Sequence, residues 1–196
     1  MINSEIEATF IDINKDNLRA KLKTAGAELA QPEILMRRTI FDVDEHSFAR
    51  VRDEGNKITM SYKHLDELSL SGMKEACVEV NDFKEAVNIL QALGHKIKAE
   101  QEALREEWLL DGVKVDIDTW PWLPSYVEIE GSSEESVKNV ATKLGFDMKD
   151  AYYGSVDRIY QVYYDVTDAD INYCPEIKFT DIPDWLASKR RLEVKK

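Results

Sequence analysis

Acidic residues recur two or four positions apart along segments of this chain that otherwise alternate like β-strands. The pairs are Glu5 and Glu7, Glu75 and Glu79, Asp116 and Asp118, and Glu128 and Glu130. Residues i and i+2 of a strand project from the same face, so each pair directs two carboxylates to one side of a sheet. Arg50 and Arg52 repeat the spacing with positive charge, and Lys63 ends another such segment. One face of the predicted sheet therefore carries both signs of charge, which suits a cation and a polyanion bound together.

Composition narrows the classes of protein to which the chain can belong. Its 196 residues are enough for one domain with a substantial core, predicted to span residues 1–196. A formal net charge of −12 disfavours nonspecific binding to nucleic acid or to an anionic membrane surface. The two cysteines form no CxxC motif, and the sequence shows neither a secretory leader nor an apolar run long enough to cross a membrane. A soluble cytoplasmic protein is expected.

The hydrophobic period switches repeatedly between two and about 3.6, which predicts a mixed α+β fold. Strands are predicted at Ile6–Ile13, Met36–Phe41, Ser47–Asp53, Lys57–His64, Lys74–Val80, Ala103–Leu110, Val113–Thr119 and Tyr126–Glu130. Helical spacing runs through Asp16–Ala30 and predicts a helix that ends near Gly26 or shortly beyond it, and further helices are predicted at Phe83–Leu93 and Ser133–Leu144. The aromatic-rich region 151–196 is predicted to form a helical appendage packed on the body.

The charged strand faces admit two architectures. In Val113–Asp118 the apolar residues take one face, while Lys114, Asp116 and Asp118 take the other. An antiparallel sheet with one face on the core and the other in water explains each such strand taken singly. Alternatively, the strands roll up so that their charged faces line a closed barrel with helices outside it. Alternation alone does not separate these two readings.

Several of these motifs resemble those of the CYTH superfamily, also called the triphosphate tunnel metalloenzymes. The likeness runs in order from Met1 to Leu144, and its most specific part is the closing Glu128-Ile129-Glu130 segment that follows an aspartate strand. The superfamily includes class IV adenylyl cyclases and thiamine or inorganic triphosphatases. The resemblance implies a closed, antiparallel, eight-stranded β-tunnel with a charged lumen. It also implies a divalent metal, Mg²⁺ or Mn²⁺, and a triphosphate substrate such as tripolyphosphate, thiamine triphosphate or ATP.

Matching positions to the family pattern gives candidate site residues. The metal ligands implied are Glu5, Glu7, Glu79, Asp116, Asp118, Glu128 and Glu130. The phosphate-binding residues implied are Arg38, Arg50, Arg52, Lys63, Arg105 and Lys114, with Arg37 an alternative to Arg38 as the inward-facing arginine. Glu5, Glu7 and Arg105 are the implied catalytic residues. Thr9 departs from the pattern, because the family has a lysine at that position of its opening Glu-x-Glu-x-Lys motif.

Three functions stay open at this stage. The first is metal-dependent hydrolysis of an organic or inorganic triphosphate, in which a carboxylate orients or deprotonates water. The second is cyclisation of ATP to cyclic AMP and pyrophosphate. The third is binding of phosphate or nucleotide without catalysis, which the threonine at position 9 motivates. Trp120-Pro121-Trp122 is interpreted as packing of a strand connection rather than as a platform for a base.

Overall fold

The computed structural model describes residues 3–192 and contains a curled, ten-stranded β-sheet with helices packed against it. The strands are β1 (Asn3–Ser4), β2 (Ile6–Phe10), β3 (Glu28–Asp44), β4 (Ser47–Asp53), β5 (Ile58–Leu65), β6 (Met73–Val80), β7 (Ile97–Leu110), β8 (Val113–Thr119), β9 (Tyr126–Gly131) and β10 (Glu176–Ile177). The α-helices are α1 (Lys15–Ala25), α2 (Phe83–Ala92), α3 (Glu134–Leu144), α4 (Asp157–Tyr163), α5 (Asp168–Asn172) and α6 (Asp184–Ala187). The α+β prediction is confirmed. Residues 1–2 and 193–196, the ends of the predicted domain and appendage, lie outside the described residues.

The strands follow one another in space as β1-β6-β5-β4-β3-β7-β8-β9-β2, and every pairing along this path is antiparallel. The short β10 lies off the path and pairs in parallel with β7. Only Glu5 separates β1 from β2, so residues 3–10 contact β6 on one side and β9 on the other. The Glu5 N–H donates to the Met73 carbonyl at 2.7 Å, and the Glu7 N–H donates to the Leu70 carbonyl at 3.0 Å. The sheet therefore curls far enough for its N-terminal segment to meet both of its ends.

Both faces of β8 are withdrawn from water. Val115 and Ile117 are fully buried on its helix-covered face, and Asp116 and Asp118 are also buried, at 2% and 0% exposure, on the opposite face. A sheet with one face open to water would leave those aspartates exposed, so that interpretation does not fit β8. The apolar face packs against α1 and α3 through Leu18, Leu22, Val137 and Val140.

The first helix ends where its sequence predicts. The Asn14 side chain caps its start, and Gly26 ends it with a left-handed φ of 85° that favours glycine. The chain then enters β3 at Glu28, so the helical spacing that continues to Ala30 belongs to a strand. Strands β3 and β7 are longer than predicted, and their mutual register shifts between Leu29 and Ile34, which blurs the period-two alternation there.

Beyond residue 150 the chain folds as short helices and turns that pack against the connection between β8 and β9. The Tyr160 hydroxyl donates to the Pro121 carbonyl at 2.7 Å, and the Tyr164 hydroxyl donates to the Trp122 carbonyl at 2.6 Å. Trp120, Ile171 and Ile177 complete the apolar cluster at this contact. No helix within residues 3–192 combines the length and apolarity needed to cross a membrane.

Candidate functional site

A cavity of about 160 Å³ lies on the concave side of the curled sheet, with room for roughly ten water molecules. Twelve of the thirteen predicted site residues line it: Glu5, Glu7, Arg38, Arg50, Arg52, Lys63, Arg105, Lys114, Asp116, Asp118, Glu128 and Glu130. Arg38 rather than Arg37 faces inward, since the Arg37 side chain is 68% exposed. Glu79 shares a strand face with Glu75 but is exposed and stands outside the cavity lining.

Strand register brings the acidic residues of different motifs together. Glu7 lies directly opposite Glu130 across β2 and β9, and Asp116 lies opposite Glu128 across β8 and β9. Directly opposed residues of an antiparallel pair share a face, with their Cβ atoms about 5 Å apart. Thr9 is the register partner of Glu128 and is 5% exposed, so the residue in place of the family lysine lies beside the closing motif.

The carboxylates that line the cavity on β2, β8 and β9 form its acidic wall, and Arg105 pairs with three of them. Its Nη1 is 2.6 Å from Asp116, its Nε donates to Asp118 at 2.7 Å, and its Nη2 donates to Glu128 at 2.6 Å. Burial alone would favour the neutral guanidine, but the three carboxylates hold the pKa of Arg105 well above its usual value. Three acceptors on one guanidinium leave Arg105 committed to the protein itself.

Two carboxyl groups of this wall have strongly raised pKa values. Desolvation, with smaller contributions from Glu128 and Glu5, raises the pKa of Glu7 to about 8 although Lys63 opposes it. Desolvation and the neighbouring Asp118 raise the pKa of Asp116 to about 7 against the pull of Arg105. Crowded carboxylates in a dry site share protons rather than all ionising.

Two lysines bridge the acidic strands at the edge of this cluster. Lys63 donates to both oxygens of Glu5, at 2.8 and 2.6 Å, and lies 3.8 Å from Glu75. Lys114 donates to Glu130 at 2.9 Å, and this pair holds the pKa of Glu130 below its usual value despite desolvation. Both lysines are therefore engaged with protein carboxylates.

Arg38 on β3 and Arg50 on β4 form the arginine wall of the cavity, and their N–H groups are not all paired with carboxylates. Arg38 is 6% exposed and Arg50 is 7% exposed, yet Nε and Nη2 of Arg38 and Nε of Arg50 have no hydrogen-bond partner within the described residues. Arg50 reaches Glu75 only through Nη2, at 3.3 Å, whereas Arg52 is held by Glu54 at 2.7 Å. Desolvation and the neighbouring Arg52 lower the pKa of Arg50 to about 10, and desolvation with Arg50 lowers the pKa of Arg38 well below its usual range. Leaving such donors unpaired costs about 1–3 kcal/mol each.

Other lining residues escaped the sequence reasoning. They include Lys98, Gln101, Tyr126, Ser155, Asp157 and Asn172. Lys98 and Gln101 lie on the part of β7 that the alternation missed. Asp157 and Asn172 come from the region after residue 150, which has no strand period that could indicate a cavity-facing side. Glu75, which also lines the cavity, carried a usable signal, because it lies four residues from Glu79 and therefore on the same strand face.

The side chains of the acidic wall are of the right chemical type to bind a divalent metal, but they are not arranged to hold one. Carboxylate oxygens are the ligands that Mg²⁺ and Mn²⁺ prefer, and the buried Oδ1 of Asp116 has no hydrogen-bond partner in the described part of the chain. Among residues 3–192, however, no three acidic, histidine or cysteine side chains are grouped ready to hold an ion. The donors are present, but Arg105 lies among them.

Comparison with known proteins places this arrangement in a family. The sequence matches the CYTH domain family over residues 3–163. A conserved hypothetical protein from Pyrococcus furiosus is 26% identical, with a TM-score of 0.65 over 76% of this chain and 94% of its own. A putative adenylate cyclase from Vibrio parahaemolyticus has a TM-score of 0.69 at 11% identity, over 82% of this chain and 99% of its own.

A third similar structure is the putative adenylyl cyclase HpAC1 from Hippeastrum, described as having a dominant triphosphatase activity. It is 15% identical with a TM-score of 0.51, over 79% of this chain and 91% of its own. At this identity, as for the Vibrio protein, the likeness shows a shared fold alone. No curated protein sequence matches the chain. Because the family match covers most of the sequence, this chain belongs to the CYTH domain family.

Proposed function

We propose that this protein binds an organic or inorganic triphosphate in its cavity and hydrolyses it with the help of Mg²⁺ or Mn²⁺. The observation that carries the proposal is the set of buried arginine donors without acceptors. Arg38 and Arg50 present three N–H-bearing atoms that no described residue pairs. Guanidinium groups bind phosphate oxygens by fixed, charge-assisted hydrogen bonds, so a polyphosphate supplies what the protein leaves out.

We propose further that the sheet closes into a tunnel. Residues 3–10 pair with β6 and with β9, and closure between these two edges would leave the charged face as the lumen. The burial of Arg38, Arg50, Asp116 and Asp118 supports this proposal, because a closed sheet removes that face from bulk water.

Glu5, Glu7, Asp116, Asp118, Glu128 and Glu130 would hold the metal, as the carboxylates that line the cavity. When bound, the ion would neutralise phosphate charge and polarise a phosphoryl oxygen. The protein's own share of the chemistry lies in Arg38, Arg50, Arg52 and Lys63, which would orient the chain of phosphates. Whichever of Glu5 and Glu7 is ionised and free of the metal would accept a proton from the attacking water at its carboxylate.

The test is an assay of released phosphate and of cyclic AMP, with tripolyphosphate, thiamine triphosphate and ATP, each with Mg²⁺ or Mn²⁺. Phosphate release that is lost in Glu128→Ala supports the hydrolase, whereas cyclic AMP with pyrophosphate would replace it with a cyclase. Arg38→Met should abolish tripolyphosphate binding in calorimetry. Arg37→Met is the matched control, because it is the neighbouring arginine on the outer face of β3. Equal binding by both variants would contradict the proposal.

Binding without catalysis is a second candidate that a specific observation favours. Arg105 occupies the carboxylates that a metal would need, and Thr9 replaces the family lysine next to Glu128. Thr9→Lys separates the two functions, since it restores a cation beside the closing motif. A large gain in turnover would indicate a weakened hydrolase. Unchanged turnover with intact tripolyphosphate binding would favour the binding module.

We also propose that the chain forms one domain and acts in the cytoplasm.

A further inference from the structure

We infer that Trp120 determines specificity in this cavity. Together with Arg38 it forms a subsite of N–H donors, without acceptors, that takes the terminal phosphoryl group of a polyphosphate. The inference rests on the proposed function, since it assumes that the cavity binds a triphosphate. It assigns a ligand-binding role to a tryptophan whose sequence context predicts only packing.

The indole N–H of Trp120 is a buried hydrogen-bond donor that the described residues leave unpaired. Trp120 follows directly after β8, is 4% exposed and lines the cavity, and its Nε1 has no hydrogen-bond partner within residues 3–192. Buried tryptophan N–H groups usually have one. In this molecule Trp108 donates to Glu106 at 2.6 Å, and Trp122 donates to the Thr180 carbonyl at 2.9 Å. Trp120 alone among these three lacks an acceptor, and it is the one that lines the cavity.

The guanidinium of Arg38 lies over the ring of Trp120. Its Cζ atom is 4.5 Å from the centre of the ring, which is a cation–π contact. This contact uses no hydrogen-bond acceptor, and Nε and Nη2 of Arg38 have no partner within residues 3–192. Arg38 and Trp120, which both line the cavity, thus carry three donor atoms without acceptors. A terminal phosphoryl group has three non-bridging oxygens to accept from them.

Among the described residues, no carboxylate accepts a hydrogen bond from these donors. The strand neighbours directly opposite Arg38 are Arg52 on β4 and Gln101 on β7, neither of which is an anion. Asp118 is the acidic residue that most influences Arg38, but both of its oxygens accept from Arg105. The subsite is therefore positive in character and separated from the acidic wall by an ion pair that is already formed.

The segment after residue 150 fixes the loop that carries Trp120. Tyr160 and Tyr164 donate to the carbonyls of Pro121 and Trp122, and Trp122 donates back to Thr180. Trp122 itself has a φ of 64°, a conformation that a non-glycine residue keeps only when its surroundings hold it. The C-terminal segment is therefore a positioning element for the subsite.

The experiment measures tripolyphosphate binding by calorimetry for the wild type and for Trp120→Phe. Phenylalanine keeps an aromatic face for Arg38 but has no N–H, so loss of one hydrogen bond to a charged group should weaken binding roughly tenfold or more. Trp185→Phe is the matched control, because Trp185 lies at the surface outside the cavity lining. It should bind as tightly as the wild type.

A second readout does not depend on the variant's folding. In the wild-type protein, the assigned indole ¹⁵N–¹H signal of Trp120 should move downfield on addition of tripolyphosphate, while those of Trp108 and Trp122 stay in place. If tripolyphosphate binds but this signal does not move and Trp120→Phe binds normally, the subsite is refuted while the proposed function stands. If the wild type binds no triphosphate at all, the proposed function fails, and this inference fails with it.

Discussion

The two walls of the cavity are built from the same sequence pattern but differ in how their charges are balanced. On β8 and β9, three carboxylates surround Arg105 and pair with its guanidinium. On β3 and β4, Arg38 and Arg50 are also withdrawn from water, yet they retain N–H groups without acceptors within residues 3–192. A buried charge is tolerated when it is paired and is costly when it is not. The cation of the acidic wall is thus paired with carboxylates of the protein, although Oδ1 of Asp116 has no described partner, whereas the arginine wall lacks an anion.

This difference indicates which ligand the ligand-free protein is prepared to accept first. A metal ion would have to compete with Arg105 for Asp116, Asp118 and Glu128. A polyphosphate would only have to accept hydrogen bonds from N–H groups of Arg38 and Arg50 that have no described acceptor. We therefore expect the anion to bind without metal and the metal to bind more tightly once the anion is present, since its oxygens add ligands.

The largest effect should come from removing the central cation of the acidic wall. Arg105→Met leaves three buried carboxylates without their partner, which should lower the free energy of unfolding by about 3–5 kcal/mol. Urea denaturation at pH 8 measures the loss. At pH 5 the loss should shrink, because the carboxylates can take up protons instead. Arg37→Met, which removes an exposed arginine, is the control and should change stability little. An equal loss of unfolding free energy in both variants would show that Arg105 does not stabilise the acidic wall by pairing with its carboxylates.

The opposite sign is expected on the arginine wall. Arg38→Met replaces a buried, incompletely paired charge by an apolar side chain of similar length, so the ligand-free protein should become more stable by about 1–3 kcal/mol. The same variant should lose the rise in melting temperature that tripolyphosphate gives the wild type. Thermal denaturation with and without tripolyphosphate measures both. If Arg38→Met destabilises the ligand-free protein, the arginine wall is as complete as the acidic one and the comparison fails.

A pH dependence should mark Glu7. Its pKa is about 8 in the folded protein against an ordinary value of 4.5, so between these values the folded state binds the proton more tightly than the unfolded state. This contribution to stability is complete at low pH and is lost as the pH rises to about 8. Glu7→Gln should flatten the decline of stability between pH 5 and pH 8 by roughly 1–2 kcal/mol.

The matched control for that titration is Glu79→Gln, since Glu79 belongs to the same motif class but is exposed outside the cavity. It should leave the slope unchanged. A part of the decline should survive in Glu7→Gln, because Asp116 also has a raised pKa, about 7. An unaltered slope in Glu7→Gln would mean that Glu7 is ionised in the folded protein and that the acidic wall is less crowded than its register indicates.

Strand and helix periods were enough to predict the α+β class, and the family resemblance added twelve of the residues that line the cavity. Alternation placed Glu5, Glu7, Asp116 and Asp118 on common faces, because it is a property of the strand itself. The same rule put Glu79 on the face of Glu75 and did not show that the cavity lining stops before it. Where a strand passes beyond the cavity depends on its neighbours and on register, which local sequence does not encode.

The pairing of charges was likewise beyond the sequence. Arg105 and Arg38 look equivalent as basic residues on strands, but one lies opposite Asp118 and the other lies between Arg52 and Gln101. The end of α1 was predictable, because Gly26 ends the helix in a left-handed conformation although the apolar spacing continues past it. The role of the C-terminal segment depends on two tyrosine hydroxyls reaching backbone carbonyls 39 and 42 residues away, which no local pattern predicts.

The smallest effect should come from the contact between that segment and the arginine wall. Tyr160→Phe removes a fully buried hydroxyl and leaves the Pro121 carbonyl without its donor, at a cost of about 1 kcal/mol in unfolding free energy. Because this carbonyl lies next to Trp120, tripolyphosphate binding should also weaken by a few-fold, with Tyr164 still holding the loop. Tyr173→Phe, an exposed tyrosine, should alter neither quantity. A stability loss without any change in affinity would mean that the C-terminal segment only packs against the wall, and that Arg38 is oriented by Trp120 without its help.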